Sequence, residues 1–213
     1  MLAISHKRVL ASDHKNKTEL SVEAGPNIVS LRGSAPLSAT KKNVRWSAGV
    51  SIVYNFNRKF SIRTIIAYER KGAKLPNTIG VIDSVGTSVG EVTPYLNYDY
   101  ITLPIHIRYI TGRRIKYFGC AGPYIGYLIN REDVIRGENV RPFVPYKGKE
   151  FDKSWDLGLT TGIGILIPVN KQFYCSFEVR NNLGLLNVNR KKQYVNTVKT
   201  NAFNVLLGVT YQL

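Results

Sequence analysis

Val44-Arg45-Trp46-Ser47-Ala48-Gly49-Val50-Ser51-Ile52-Val53-Tyr54-Asn55-Phe56 is the stretch on which the fold of this chain turns. Trp46, Ala48, Val50, Ile52, Tyr54 and Phe56 are apolar, and Ser47, Gly49, Ser51 and Asn55 oppose them. A period of two is that of a β-strand, whose successive side chains point to opposite faces. The next stretch repeats it: Phe60, Ile62, Thr64, Ile66 and Tyr68 alternate with Ser61, Arg63, Ile65, Ala67 and Glu69. Charges now mark the second face near each end, the pattern of a wall between hydrocarbon and a polar interior.

Working outward, the same alternation recurs. Ile101, Leu103, Ile105, Ile107 and Tyr109 oppose Tyr100, Thr102, Pro104, His106 and Arg108. Leu157, Leu159, Ile163 and Ile165 oppose Asp156, Gly158, Thr160, Gly162 and Gly164. Phe173, Cys175, Phe177 and Val179 oppose Tyr174, Ser176, Glu178 and Arg180, and Phe203, Val205, Leu207, Val209, Tyr211 and Leu213 close the chain. Leu20 to Leu31 and Ile115 to Ile129 are less regular, the second being apolar on both faces. The count is eight strands.

The connections alternate in length. Asn57-Arg58, Thr111-Gly112-Arg113-Arg114 and Pro168-Val169-Asn170-Lys171 read as tight turns. Arg32 to Asn43, Gly72 to Asn97, Asn130 to Ser154 and Asn187 to Thr200 read as longer loops. Short turns on one rim and long loops on the other predict an all-β, eight-stranded antiparallel up-and-down transmembrane barrel, with both termini on the periplasmic side of a bacterial outer membrane and the long loops outside. The chain divides into a basic N-terminal tail, residues 1–18, and a barrel domain, residues 19–213.

Composition agrees. Thirteen Tyr, eight Phe, two Trp and 18 Gly suit pleated sheet and tight turns. No apolar run is long enough for a transmembrane helix, whereas a tilted strand crosses in about ten residues. Met1 to Lys17 is basic and lacks an apolar core, so it does not read as an export signal, and an exported precursor would carry one ahead of it. Lys and Arg outnumber Asp and Glu by 30 to 14, a formal +16, which draws polyanions. Cys120 and Cys175 match no metal or redox spacing, and the alternation points the first inward and the second outward, so no disulfide is expected.

Several stretches resemble one family. Tyr98-Asp99-Tyr100-Ile101-Thr102-Leu103-Pro104-Ile105-His106-Ile107-Arg108-Tyr109 is similar to a strand of the porin-family, PorT-like small outer-membrane barrels of Bacteroidota. Gly119-Cys120-Ala121-Gly122-Pro123-Tyr124-Ile125-Gly126-Tyr127-Leu128 resembles that family's glycine-rich fifth strand. Phe177 to Val188 resembles its seventh strand, and Gly208 to Leu213 its closing one. The resemblance implies outer-membrane insertion by the barrel-assembly machinery and, for the PorT proteins, service in a protein-secretion system. This chain departs in ending on Leu213 rather than an aromatic residue, and in its basicity.

A barrel of eight strands is just wide enough to be filled by its own side chains. The facing puts Glu23, Glu69, Asp156 and Glu178 inside against Arg63, Arg108 and Arg180, with His106 beside them. Near balance of sign predicts a hydrogen-bonded network that plugs the barrel, because unpaired interior charge is costly. Arg58, Lys59, Arg113, Arg114 and Lys116 fall at the tight turns. Lys41, Lys42, Lys71, Lys74, Lys147, Lys149, Lys153, Arg190, Lys191 and Lys192 fall on the long loops. The turn residues and Arg190 to Lys192 are expected to contact phosphates of lipid and lipopolysaccharide.

These features set the function classes against one another. The leading expectation is a non-enzymatic barrel with a structural or partner-binding role, holding no cofactor and meeting outer-membrane lipids, lipopolysaccharide and protein partners of the envelope. A subunit of a secretion or transport complex is the alternative that the resemblance implies. A lipid-modifying enzyme would depend on His106, the one His of the barrel segment, which reads more simply as a hydrogen-bonded interior residue. A soluble lipocalin-like binder is the remaining alternative. Nucleic-acid binding is disfavoured, because the aromatics alternate within strands rather than interleave with basic residues. Glu132, Asp133 and Glu138 form an acidic loop stretch that reads as solvated rather than metal-binding.

Overall fold

The computed structural model describes residues 18–33, 40–75, 79–82, 88–137, 143–150, 152–190 and 197–213. Ten strands follow one another: β1 (Thr18–Gly33), β2 (Asn43–Asn55), β3 (Phe60–Lys74), β4 (Ile79–Ile82), β5 (Ser88–Gly112), β6 (Lys116–Gly137), β7 (Phe143–Lys147), β8 (Trp155–Pro168), β9 (Phe173–Gly184) and β10 (Val198–Gln212). Eight of them close a ring in the order β1, β2, β3, β5, β6, β8, β9, β10, with β10 returning to β1. Every neighbouring pair is antiparallel. Closure leaves the ring without an unpaired edge, which a strand needs in hydrocarbon.

The alternation sorts the two faces in the sense opposite to a soluble protein. Trp46, Ile107, Ile163 and Leu207 are 67%, 65%, 69% and 66% exposed, while Glu23, Arg63, His106 and Arg108 are buried. So continuous an apolar outer band is untenable in water and is what lipid requires. A lipocalin-like soluble binder would need the reverse. Two rows of aromatics bound the band. Tyr54, Phe60, Tyr109, Tyr117, Phe173 and Tyr211 lie towards the tight turns, and Trp46, Tyr68, Tyr127 and Trp155 towards the long loops. Phe60 meets the Tyr109 ring at 5.3 Å, Phe173 meets Tyr211 at 5.0 Å, and Tyr127 meets Trp155 at 5.0 Å. The eight steps from Trp46 to Tyr54 rise about 20 Å at the usual strand tilt, close to the height of an outer-membrane apolar band.

Two Gly-Pro pairs interrupt the ladder. The β1–β10 register skips Gly25 and Pro26, and the β5–β6 register skips Gly122 and Pro123. Proline offers no N–H to the ladder. The glycines are needed because a Cβ on Gly25 would lie 1.9 Å from the Val205 carbonyl oxygen, and one on Gly122 would lie 1.8 Å from that of Ile105.

The connections partly differ from the sequence reading. The three tight turns stand at Phe56 to Lys59, Arg113 to Ile115 and Val169 to Gln172. Asn57 and Asn170 shape two of them, each carboxamide oxygen accepting from two backbone amides at 2.8 to 2.9 Å. By contrast, much of Gly72 to Asn97 and Asn130 to Ser154, expected as loop, is strand. β5 and β6 stay paired up to Val92 and Gly137, about 20 Å past the upper aromatic row at the usual rise and tilt. There β4 pairs with β5 and β7 with β6, making a four-stranded sheet beyond the membrane band.

Candidate functional site

Inside the ring, charged side chains are stacked between two apolar plugs. At the tight-turn end Ile110, Phe118, Cys120 and Leu166 cluster, with Tyr174 against them. At the other end Leu31, Ala73, Tyr98, Tyr100, Leu128, Val188 and Val198 form a second cluster. Between them lie three sets of ion pairs.

The lowest set joins Arg108 to Glu19 at 3.4 Å, with Ser61 Oγ accepting from Arg108 Nε at 3.1 Å. Asn55 and Gln212 donate to the other oxygen of Glu19, at 3.0 and 3.1 Å. The middle set is a quartet. Arg63 donates to Glu178 at 2.6 Å and to Glu23; Arg180 donates to Glu178 at 2.7 Å and to Glu23 at 2.8 and 3.1 Å. Each carboxylate bridges both guanidiniums, and no member is more than 5% exposed at its side chain. Equal numbers of opposite charges, saturated with hydrogen bonds, offset the desolvation that burial imposes.

The uppermost set centres on Lys71. Its Nζ lies 3.0 Å from Asp156 Oδ2 and 3.5 Å from Glu69 Oε2, and over the Tyr124 and Tyr100 rings at 4.5 and 5.2 Å. Lys71, expected on a long loop, is instead fully buried in β3. The cause is that β3 runs five residues past Glu69, keeping the alternation that turns Lys71 and Ala73 inward.

Of the other residues singled out by sequence, His106 is fully buried, and its Nε2 lies 3.1 Å from Thr160 Oγ1. It hydrogen-bonds to neither a serine nor a carboxylate among the described residues. Cys120 is buried with its thiol directed at Glu178, and Cys175 is exposed. Arg58, Lys59, Arg113 and Arg114 are exposed at the turns, while Lys116 is half-buried with its Nζ 4.6 Å from the Tyr174 ring centre. Arg190 is exposed on its loop; Lys191, Lys192, Glu138 and residues 1–17 lie outside the described residues. Glu132 pairs with Lys147 and Asp133 with Arg131, and no acidic, His or Cys cluster fit for a metal occurs among the described residues.

Above the aromatic row two more acids are held. Asp99 accepts from Arg70 at 2.5 and 2.9 Å, from Tyr68 at 2.7 Å and from Asn130 at 3.3 Å. Burial alone would raise its carboxyl, but these bonds hold it below the usual carboxylate range. Asp152 pairs with Arg131 at 2.7 Å, yet burial pushes its carboxyl up.

The long-loop end of β2, β3, β5 and β6 carries one arrangement that periodicity could not reveal. Arg45, Lys74 and Arg136, from β2, β3 and β6, surround the ring of Tyr95 on β5, at 5.7, 5.8 and 5.5 Å from its centre. Arg45 donates to Asn97 Oδ1 at 2.6 and 3.0 Å, and no ion pair joins any of the three cations to a carboxylate among the described residues.

The fold recurs in solved outer-membrane barrels. A major outer membrane protein of Thermus thermophilus matches with a TM-score of 0.51 at 12% identity, over 92% of this chain and 99% of that one. Neisserial surface protein A matches at 0.46 and 15%, over 91% and 97%, and the attachment invasion locus protein of Yersinia pestis at 0.43 and 12%, over 92% and 99%. No curated protein sequence matches the chain. A family model described as the outer membrane protein beta-barrel domain matches residues 10–190. With the inverted burial and the closed ring of eight strands, this match shows that the chain belongs to the outer membrane protein beta-barrel domain family of the bacterial outer membrane.

Proposed function

We propose that this protein is a non-enzymatic, sealed barrel that presents a binding surface for phosphate-bearing envelope glycolipid at the long-loop end of β2, β3, β5 and β6. The reading is carried by Arg45, Lys74 and Arg136 converging on Tyr95 with no ion-pair partner among the described residues. Three cations on one ring, with no ion pair to a carboxylate among the described residues, repel one another, and a bound anion relieves that repulsion. Guanidiniums suit phosphate through paired N–H groups, and the tyrosine face holds them in register. Termini on the periplasmic side would direct this end outward, and Arg58, Lys59, Arg113, Arg114 and Lys116 would then meet headgroups of the inner leaflet.

The test is binding of lipopolysaccharide to the barrel in nanodiscs. Arg45→Ala, Lys74→Ala and Arg136→Ala together are expected to weaken binding at least tenfold and to flatten its salt dependence, while dephosphorylated lipopolysaccharide should not distinguish variant from wild type. Equal affinity of wild type and triple variant for the phosphorylated form refutes the reading. A place in a PorT-like secretion complex rests on the sequence resemblance, and co-purification from native membranes in mild detergent tests it.

A further inference from the structure

The set of interior groups around Glu69 and Lys71 is short of both hydrogen-bond donors and positive charge. Asp156 Oδ2 accepts from Lys71, Tyr124 and Thr200, at 3.0, 3.1 and 2.6 Å, whereas Asp156 Oδ1 accepts from nothing among the described residues. Lys71 directs its Nζ at Tyr124, Asp156 and Thr200, which occupies its three protons. Asn182 and Asn204 each turn an amide nitrogen to Glu69 Oε1, both at 3.0 Å. A carboxylate only accepts, so these two amides cannot be flipped, and each amide oxygen is held within one amide's breadth of the carboxylate. Those two oxygens, that of Asn27 opposite Asn204, and Glu69 Oε2 have no hydrogen-bond partner among the described residues. All four residues are at most 3% exposed.

The charge count points the same way. The quartet and the Arg108–Glu19 pair are each neutral, but here two carboxylates face the single cation Lys71. An internal water satisfies acceptors and leaves the charge; a divalent ion overshoots it. A monovalent hard cation meets both deficits with the oxygen ligands such ions take.

We propose that the side-chain oxygens of Glu69, Asn27, Asn182 and Asn204 form a buried pocket that binds a sodium-sized alkali cation. The apolar cluster of Tyr98, Leu128, Val188 and their neighbours lies between this pocket and the loops, so the ion is taken up as the barrel closes and leaves slowly.

Two measurements test the site. Protein refolded in thallium(I) or rubidium salt and crystallised should show an anomalous peak beside Glu69 with amide oxygens as neighbours; a water there, or no peak with either ion, overturns the proposal. Wild type refolded in sodium chloride should then unfold in urea about tenfold more slowly than in N-methylglucamine chloride of equal ionic strength, and Glu69→Gln should lose the difference. Equal rates in the two salts overturn it as well. The crystallographic arm needs no variant, so a Glu69→Gln chain that fails to fold leaves the site testable. Because the pocket and the Tyr95 cluster share no residue, either proposal can fail alone.

Discussion

Glu178→Leu removes one corner of the buried quartet. It deletes the 2.6 Å bond from Arg63 and the 2.7 Å bond from Arg180, and leaves two guanidiniums facing Glu23 alone in a site at most 5% exposed. Breaking a buried pair by removing one partner costs about 3–5 kcal/mol, because the remaining charge stays out of water uncompensated. Arg63→Met creates the opposite imbalance and should cost a similar amount. Made together, the two substitutions leave Arg180 and Glu23 as a neutral pair with bonds of 2.8 and 3.1 Å, and the double variant should lose about 2 kcal/mol. The singles then sum to at least about 6 kcal/mol against about 2 for the double, so the expected coupling is at least about 4 kcal/mol, above the usual range for neighbouring residues. Urea titration of protein refolded into lipid vesicles, followed through Trp46 and Trp155 fluorescence, measures all four corners of this cycle. If the double variant costs the sum of the singles to within about 0.5 kcal/mol, the quartet is not a charge-balanced unit and the reasoning is wrong.

Further outcomes follow from the same geometry. Gly25→Val should destabilise the barrel by more than about 2 kcal/mol, because its Cβ would enter the Val205 carbonyl at the β1–β10 seam; a wild-type unfolding midpoint in urea would count against that close approach. Cys175 should react in folded protein with an apolar maleimide supplied from the lipid phase, and Cys120 only after denaturation, with mass spectrometry reading the modified site. Lipids brominated near the headgroup should quench Trp46 and Trp155 fluorescence more than lipids brominated near the chain ends, and the reverse order would misplace the upper aromatic row. Acid should loosen the Arg70–Asp99 contact only at low pH. A depressed folded-state carboxyl gives stability that is full above its unfolded range, near 4, and is lost as pH falls further, so hydrogen exchange at Asp99 and Arg70 that accelerates already near pH 6 would contradict the assignment.

The strands of the wall were legible because lipid and a polar interior impose opposite chemistry on alternate residues. Legibility failed where that contrast fades. Arg70-Lys71-Gly72-Ala73-Lys74 reads as a charged loop by composition, yet continuing the parity of Arg63, Ile65, Ala67 and Glu69 places Lys71 inside. Glu19 was missed for a similar reason, since the first strand begins before the apolar Leu20 that announces it. In β5 a register shift between Asp99 and Tyr100 breaks the parity, so the segment above it cannot be assigned a face from periodicity. Asn27, Asn182 and Asn204 carry no charge and draw no notice in a search for ionisable pairs, although their inward parity was available. The cations on Tyr95 come from three strands, β2, β3 and β6, and meet only through the pairing of those strands with β5 and one another.

The quartet also bears on the order of assembly. Its members come from β1, β3 and β9, so apart from the Arg63–Glu23 bond within the first three strands, none of the bonds between strands exists until both halves of the chain have met. A half-built sheet entering hydrocarbon would expose two guanidiniums and two carboxylates to it, at a cost that rises with depth. Insertion therefore cannot run ahead of closure. The barrel must curl while its charged face is still wetted or sheltered, and then pass into the bilayer as a ring already sealed, which makes a stable open-sheet intermediate within the membrane one that this sequence forbids.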